Sequence, residues 1–81
     1  MNLKNKTEEE IRVIFQPGRT FYHIGDKYRV VNYTFDGDAE LIIVKSWNRY
    51  KNRWCYETWT WHIFYPVYVR FGNISLTKRK R

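Results

Sequence analysis

Tyr28-Arg29-Val30-Val31-Asn32-Tyr33-Thr34-Phe35, then Asp36-Gly37, then Leu41-Ile42-Ile43-Val44-Lys45-Ser46-Trp47, is the stretch on which the fold turns. Both flanks are rich in β-branched and aromatic residues, which suit a pleated, half-buried surface, and neither contains a breaker. Asp-Gly between two such runs is a strong hairpin signal, because glycine takes the positive φ that a tight two-residue turn demands. A β-hairpin is therefore expected here, and the rest of the chain is read outward from it.

Upstream, Thr20 to Ile24 reads as a short strand closed by Gly25-Asp26. Before it, Pro17-Gly18 marks a tight turn. Thr7-Glu8-Glu9-Glu10 has the spacing of a capping box, in which Thr7 and Glu10 each satisfy a free backbone N–H. Ile11, Ile14 and Phe15 then share a helical face, while Ile11, Val13 and Phe15 fit a strand equally well. A short helix within 7–15 is expected.

Downstream, Trp47-Asn48-Arg49-Tyr50-Lys51-Asn52-Arg53 is polar and is expected to be the loop of a second hairpin. Trp54 to Tyr65 alternates as a strand. One face carries Trp54, Tyr56, Thr58, Thr60, His62 and Phe64; the other carries Cys55, Glu57, Trp59, Trp61 and Ile63. The sequence leaves open which face is buried. Pro66 cannot donate to a central ladder and marks a break or an edge. Val67 to Phe71, a Gly72-Asn73 turn and Ile74 to Leu76 are expected to complete the β run.

Eighty-one residues allow one small domain, expected over 1–77 with a basic tail at 78–81. A chain of this size buries only about 60–65% of its unfolded surface. Sixteen aromatic residues supply the bulk that so thin a core needs. Five or six short strands joined by tight turns predict a mainly β fold: a small curled antiparallel sheet or a small barrel. Gly25-Asp26-Lys27-Tyr28-Arg29-Val30-Val31, followed by a hairpin ending in Val44-Lys45-Ser46-Trp47, resembles the run of strands in SH3-like small barrels. An OB-like barrel is the nearest rival.

Charge is distributed unevenly. Residues 1–44 carry six bases against seven acids, whereas residues 45–81 carry nine bases against Glu57 alone. A one-sided field concentrates anionic partners, among which nucleic acid is the commonest. Between Trp47 and Phe71 ten of twenty-five residues are aromatic, with Arg49, Lys51, Arg53 and Arg70 set among them. Exposed rings stack unpaired bases while Lys and Arg follow the phosphates.

The candidate nucleic-acid-binding residues are accordingly Lys45, Arg49, Tyr50, Lys51, Arg53, Trp54, Arg70 and the tail Lys78, Arg79, Lys80 and Arg81. RNA or single-stranded DNA is favoured over duplex, since stacking needs splayed bases and no long recognition helix is in sight. The alternative is a protein-binding module or small inhibitor, a phage-encoded one being one example. It would dock on an acidic surface of a host nucleic-acid-processing protein. Monomer and dimer both stay open, because an aromatic edge strand can pair two copies.

Catalysis is not expected. Cys55 and His62 fall on opposite faces of an unbroken strand, the acids sit at turns and at a helix start, and Cys55 reads as a small buried hydrophobe. Two His and one Cys match no metal-ligand spacing, so no metal or other cofactor is expected. With no apolar run of about 20 residues and no apolar leader segment, neither membrane nor secretion is expected, and the cytoplasm is the expected location.

Overall fold

A computed structural model describes residues 3–72 and 74–77. After a 3-10 turn at Leu3–Asn5 the elements are α1 (Glu8–Ile14), β1 (Thr20–His23), β2 (Asp26–Asp36), β3 (Ala39–Asn48), β4 (Arg53–Thr60), α2 (Trp61–Ile63, continued by π-helical turns at Phe64–Val69) and β5 (Ile74–Ser75). The five strands form one antiparallel sheet in the order β4-β3-β2-β1-β5. The small curled sheet and the short N-terminal helix expected from the sequence are both present. The sheet does not close into a barrel: β4 and β5 are two separate edges.

The expected hairpin forms β2 and β3, with Asp36 opposite Ala39 and Gly37 at φ 64, a backbone region that L side chains avoid. Between Val30 and Asn32 the register shifts by one residue, a bulge that accommodates Val31. The extra residue lets Tyr28 and Val30 on one side of it, and Tyr33 and Phe35 on the other, point to the same face despite their changed parity. The Thr7 capping box is also made: Thr7 Oγ1 accepts from Glu10 N at 3.2 Å and Glu10 Oε1 accepts from Thr7 N at 2.9 Å.

The chain departs from expectation after Thr60. Trp54 to Tyr65 is not one strand, nor is Val67 to Phe71 a strand; Trp61–Val69 is helical and crosses beneath the sheet from the β4 edge to the β5 edge. Trp61, Phe64, Tyr65 and Tyr68 recur at i, i+3, i+4 and i+7, so one helical stripe meets the core. Pro66 lies within the π-helical turns, whose longer i→i+5 spacing relieves the clash a proline ring makes in a tighter helix. This segment takes the place of the strand that would have closed a barrel.

One face of the sheet is therefore covered. Phe21, Tyr28, Val30, Ile42 and Val44 are buried on it beneath Ile11 and Phe15 of the N-terminal helix region and Trp61, Phe64 and Val69 of the crossing segment. Rings dominate the contacts: Phe15 meets Phe21 edge-on at 5.4 Å and Phe64 at 5.2 Å, and Phe21 stacks on Tyr28 at 5.4 Å. Trp59 joins this cluster, stacking on Phe64 at 5.8 Å.

Polar groups pin the helix down. Arg12 forks onto Glu40 with bonds of 2.5 and 2.6 Å and lies 4.3 Å over the Trp61 ring. The guanidinium holds the Glu40 carboxyl below its ordinary pKa. Trp61 Nε1 donates to Glu8 at 2.6 Å, and Tyr33 Oη donates to the Phe15 carbonyl at 2.6 Å. Burial pushes the Tyr33 phenol up to about 12.

Candidate nucleic-acid interface

The alternation of the strands sends the remaining side chains to the opposite face of the sheet, which no helix covers. Cross-strand pairs locate them: Thr20–Arg29–Lys45–Tyr56 in one row, and Trp47–Trp54 in the next toward the β3–β4 loop. Trp47 and Trp54 meet edge-on at 5.4 Å. The Trp54 ring reaches back across β3, bringing Lys45 Nζ to 4.8 Å and the Arg29 guanidinium to 5.5 Å from its centre. Tyr56 is 65% exposed and Trp47 44% exposed, so ring surface faces outward beside two fixed cations.

The acids lie elsewhere. Glu8, Glu9 and Glu10 are on α1, Glu40 is held by Arg12, Asp36 and Asp38 flank the turn at the far end of the sheet, and Asp26 opens β2 opposite His23, on the helix side. Glu57 is on the helix-covered side of β4, where its carboxylate accepts from Trp59 Nε1 at 3.1 Å. The open face near Trp54 is thus basic with no carboxylate among its strand residues 27, 29, 45, 47, 54 and 56.

The β3–β4 loop extends this surface. Asn48 Oδ1 accepts from the backbone N–H of Tyr50 and of Lys51, both at 3.0 Å, and Asn52 sits at φ 55. Asparagine suits both roles, since its short amide mimics a backbone turn and tolerates positive φ. The consequence is a fixed loop that holds Arg49, Tyr50 and Lys51 in solvent, with Tyr50 93% exposed.

Of the residues singled out from the sequence, Lys45 and Trp54 are in contact on the open face, and Arg49, Tyr50 and Lys51 neighbour them in the loop, whereas Arg53, opposite Asn48, lies on the helix side of β4. Arg70 does not join them: it follows the crossing helix on the way to β5, at the other edge of the sheet. Lys78, Arg79, Lys80 and Arg81 lie outside the described residues. Sequence reading passed over Arg29, Trp47 and Tyr56. The signal was present in the alternation of β2 and β3, which places Arg29, Lys45 and Trp47 on the face opposite Val30 and Val44.

Cys55 is half-buried on the helix side of β4, less enclosed than a core position. His62 is exposed in α2, and His23 lies on β1, three places from β4 in the strand order, although the curl of the sheet brings its ring to Trp59 of β4. His23 instead stacks on Tyr68 at 4.9 Å and meets Trp59 at 5.8 Å. Its Nδ1 is buried without a partner among the described residues. Burial pushes the imidazole below its usual pKa against the pull of Asp26 and Glu57.

Among the described residues no three His, Cys, Asp or Glu side chains converge as a metal site, and no helix is long and apolar enough to cross a membrane. Comparison of the chain with family models, with curated proteins and with solved structures gave no match.

Proposed function

We propose that this chain is a non-enzymatic binder of single-stranded nucleic acid, RNA or DNA, and that the open face of the sheet is its platform. The observation that carries the reading is the set Trp47, Trp54 and Tyr56 interleaved with Arg29 and Lys45 on an uncovered face. Bases stack on the rings, each stacked base contributing about 1–3 kcal/mol, while the cations meet phosphates. Antiparallel sheets that bind RNA through exposed strand aromatics work on the same physical basis. Arg49 and Lys51 extend the phosphate track from the loop, and Tyr50 adds a ring at its tip. A duplex keeps its bases stacked inside and offers such a face only its backbone.

Fluorescence polarisation with labelled single-stranded RNA, single-stranded DNA and duplex DNA, each titrated in salt, tests the reading. Micromolar or tighter binding of single strands at physiological salt, with duplex weaker, is the expected result. Equal, weak binding to all three that vanishes at physiological salt would overturn it and turn attention to an acidic protein surface as the partner.

A further inference from the structure

The first five residues of β4 are complementary to themselves. Set antiparallel to a second copy about an axis at Cys55, Arg53-Trp54-Cys55-Tyr56-Glu57 opposes Arg53 to Glu57, Trp54 to Tyr56 and Cys55 to Cys55. Opposed residues of antiparallel strands share a face. The ion pairs thus form on the helix side and the ring pairs on the open side, where those side chains already lie.

Other axes lack this match. An axis at Tyr56 sets Cys55 against Glu57 and Arg53 against Trp59, and one at Glu57 sets two carboxylates against each other. From this we propose that the chain self-associates as a two-fold dimer through β4, giving one continuous ten-stranded sheet.

The edge is available for this. β4 is the terminal strand of the sheet, and among the described residues no turn, loop or cap backbone hydrogen bond engages residues 53–59. Folded proteins blunt such an edge with charged side chains, proline or a bulge. β4 has no lysine or proline, its register with β3 runs without a shift, and its two charges, Arg53 and Glu57, are of opposite sign, so the two-fold pairing sets each against its complement. Arg53 and Glu57 are exposed and form no ion pair among the described residues. The positive φ of Asn52 turns the chain away just before Arg53, so pairing ends there. The dimer brings the second copy's Tyr56 beside Trp54 and joins the two open faces into one aromatic and basic surface.

The test needs no nucleic acid. An interface this small belongs to the weak class, so sedimentation equilibrium is run on the whole chain up to about 1 mM. Opposed Cα atoms at about 4.5–5.5 Å fall within disulfide reach. Diamide takes up two hydrogens as two thiols join, and it should trap the dimer through Cys55.

Glu57→Arg sets Arg53 against an arginine and should weaken association roughly tenfold or more. Combining it with Arg53→Glu restores opposite charges and should restore the dimer. That double variant also lacks the Glu57–Trp59 bond, so its recovery separates association from damage to the fold. A chain monomeric throughout, or a dimer that neither cross-links at Cys55 nor responds to Glu57→Arg, overturns the proposal.

Discussion

Replacing Trp54 with alanine separates platform from scaffold. The ring lies on the open face, outside the cluster of Phe15, Phe21 and Phe64, and its contacts are Trp47, Lys45 and Arg29. One aromatic pair and two half-buried cation–ring contacts contribute together about 1.5–3.5 kcal/mol, so the variant stays folded with a lowered Tm. Binding loses one stacking position, about 1–3 kcal/mol, or roughly 5- to 150-fold in Kd. The ring carries no charge, so the slope of log K against log salt should not change, whereas Lys45→Gln should reduce it by about 0.7. Polarisation titrations of a short labelled single strand at several salt concentrations read both quantities. A folded Trp54→Ala protein with unchanged affinity would refute the assignment of the open face.

Neutralising Arg49 and Lys51 together to glutamine should lower the same salt slope by roughly 1.4 while leaving the fold intact, measured by titration and circular dichroism. Arg12→Ala strands the partly buried Glu40 and uncovers Trp61; a loss of roughly 1–3 kcal/mol in urea unfolding is expected, and less than half of the lower figure would show the fork to be ornamental. Ile24 is β-branched at φ 51 and exposed, so Ile24→Asn should raise stability by about 1 kcal/mol in the same assay. His23 has a folded-state pKa below its ordinary 6.5, so the unfolded chain binds more protons near that pH. Stability should fall as pH drops from 7 toward 5.5, and the urea midpoint of His23→Phe should lose that part of the dependence.

The parts of the fold legible in sequence are those fixed by local chemistry. Asp36-Gly37 announces its hairpin because few residues tolerate the turn, and Thr7 with Glu10 announces a helix start because the two bonds are made within one turn. The segment after Thr60 was misread because both signals coexist in it. Aromatic and β-branched residues favour a strand, yet Trp61, Phe64, Tyr65 and Tyr68 also mark a helical stripe. Packing against Phe15 and Phe21, distant in sequence, decides between them. The candidate site was half legible for a related reason. The loop bases stand out by composition, but Arg29, Trp47 and Tyr56 gain meaning only once the helix is seen to cover the other face.

The late position of the crossing segment also bears on how the molecule comes into being. Phe21, Tyr28, Val30, Ile42 and Val44 all precede Trp61, Phe64 and Val69 along the chain, so during synthesis the sheet's apolar side is made before the part of its cover that the crossing segment supplies. At translation speeds of about 5–20 residues per second that interval is short. A chain cut before Trp61 would keep only Ile11 and Phe15 over that face, whereas one that runs through Val69 holds the crossing part of the cover as well.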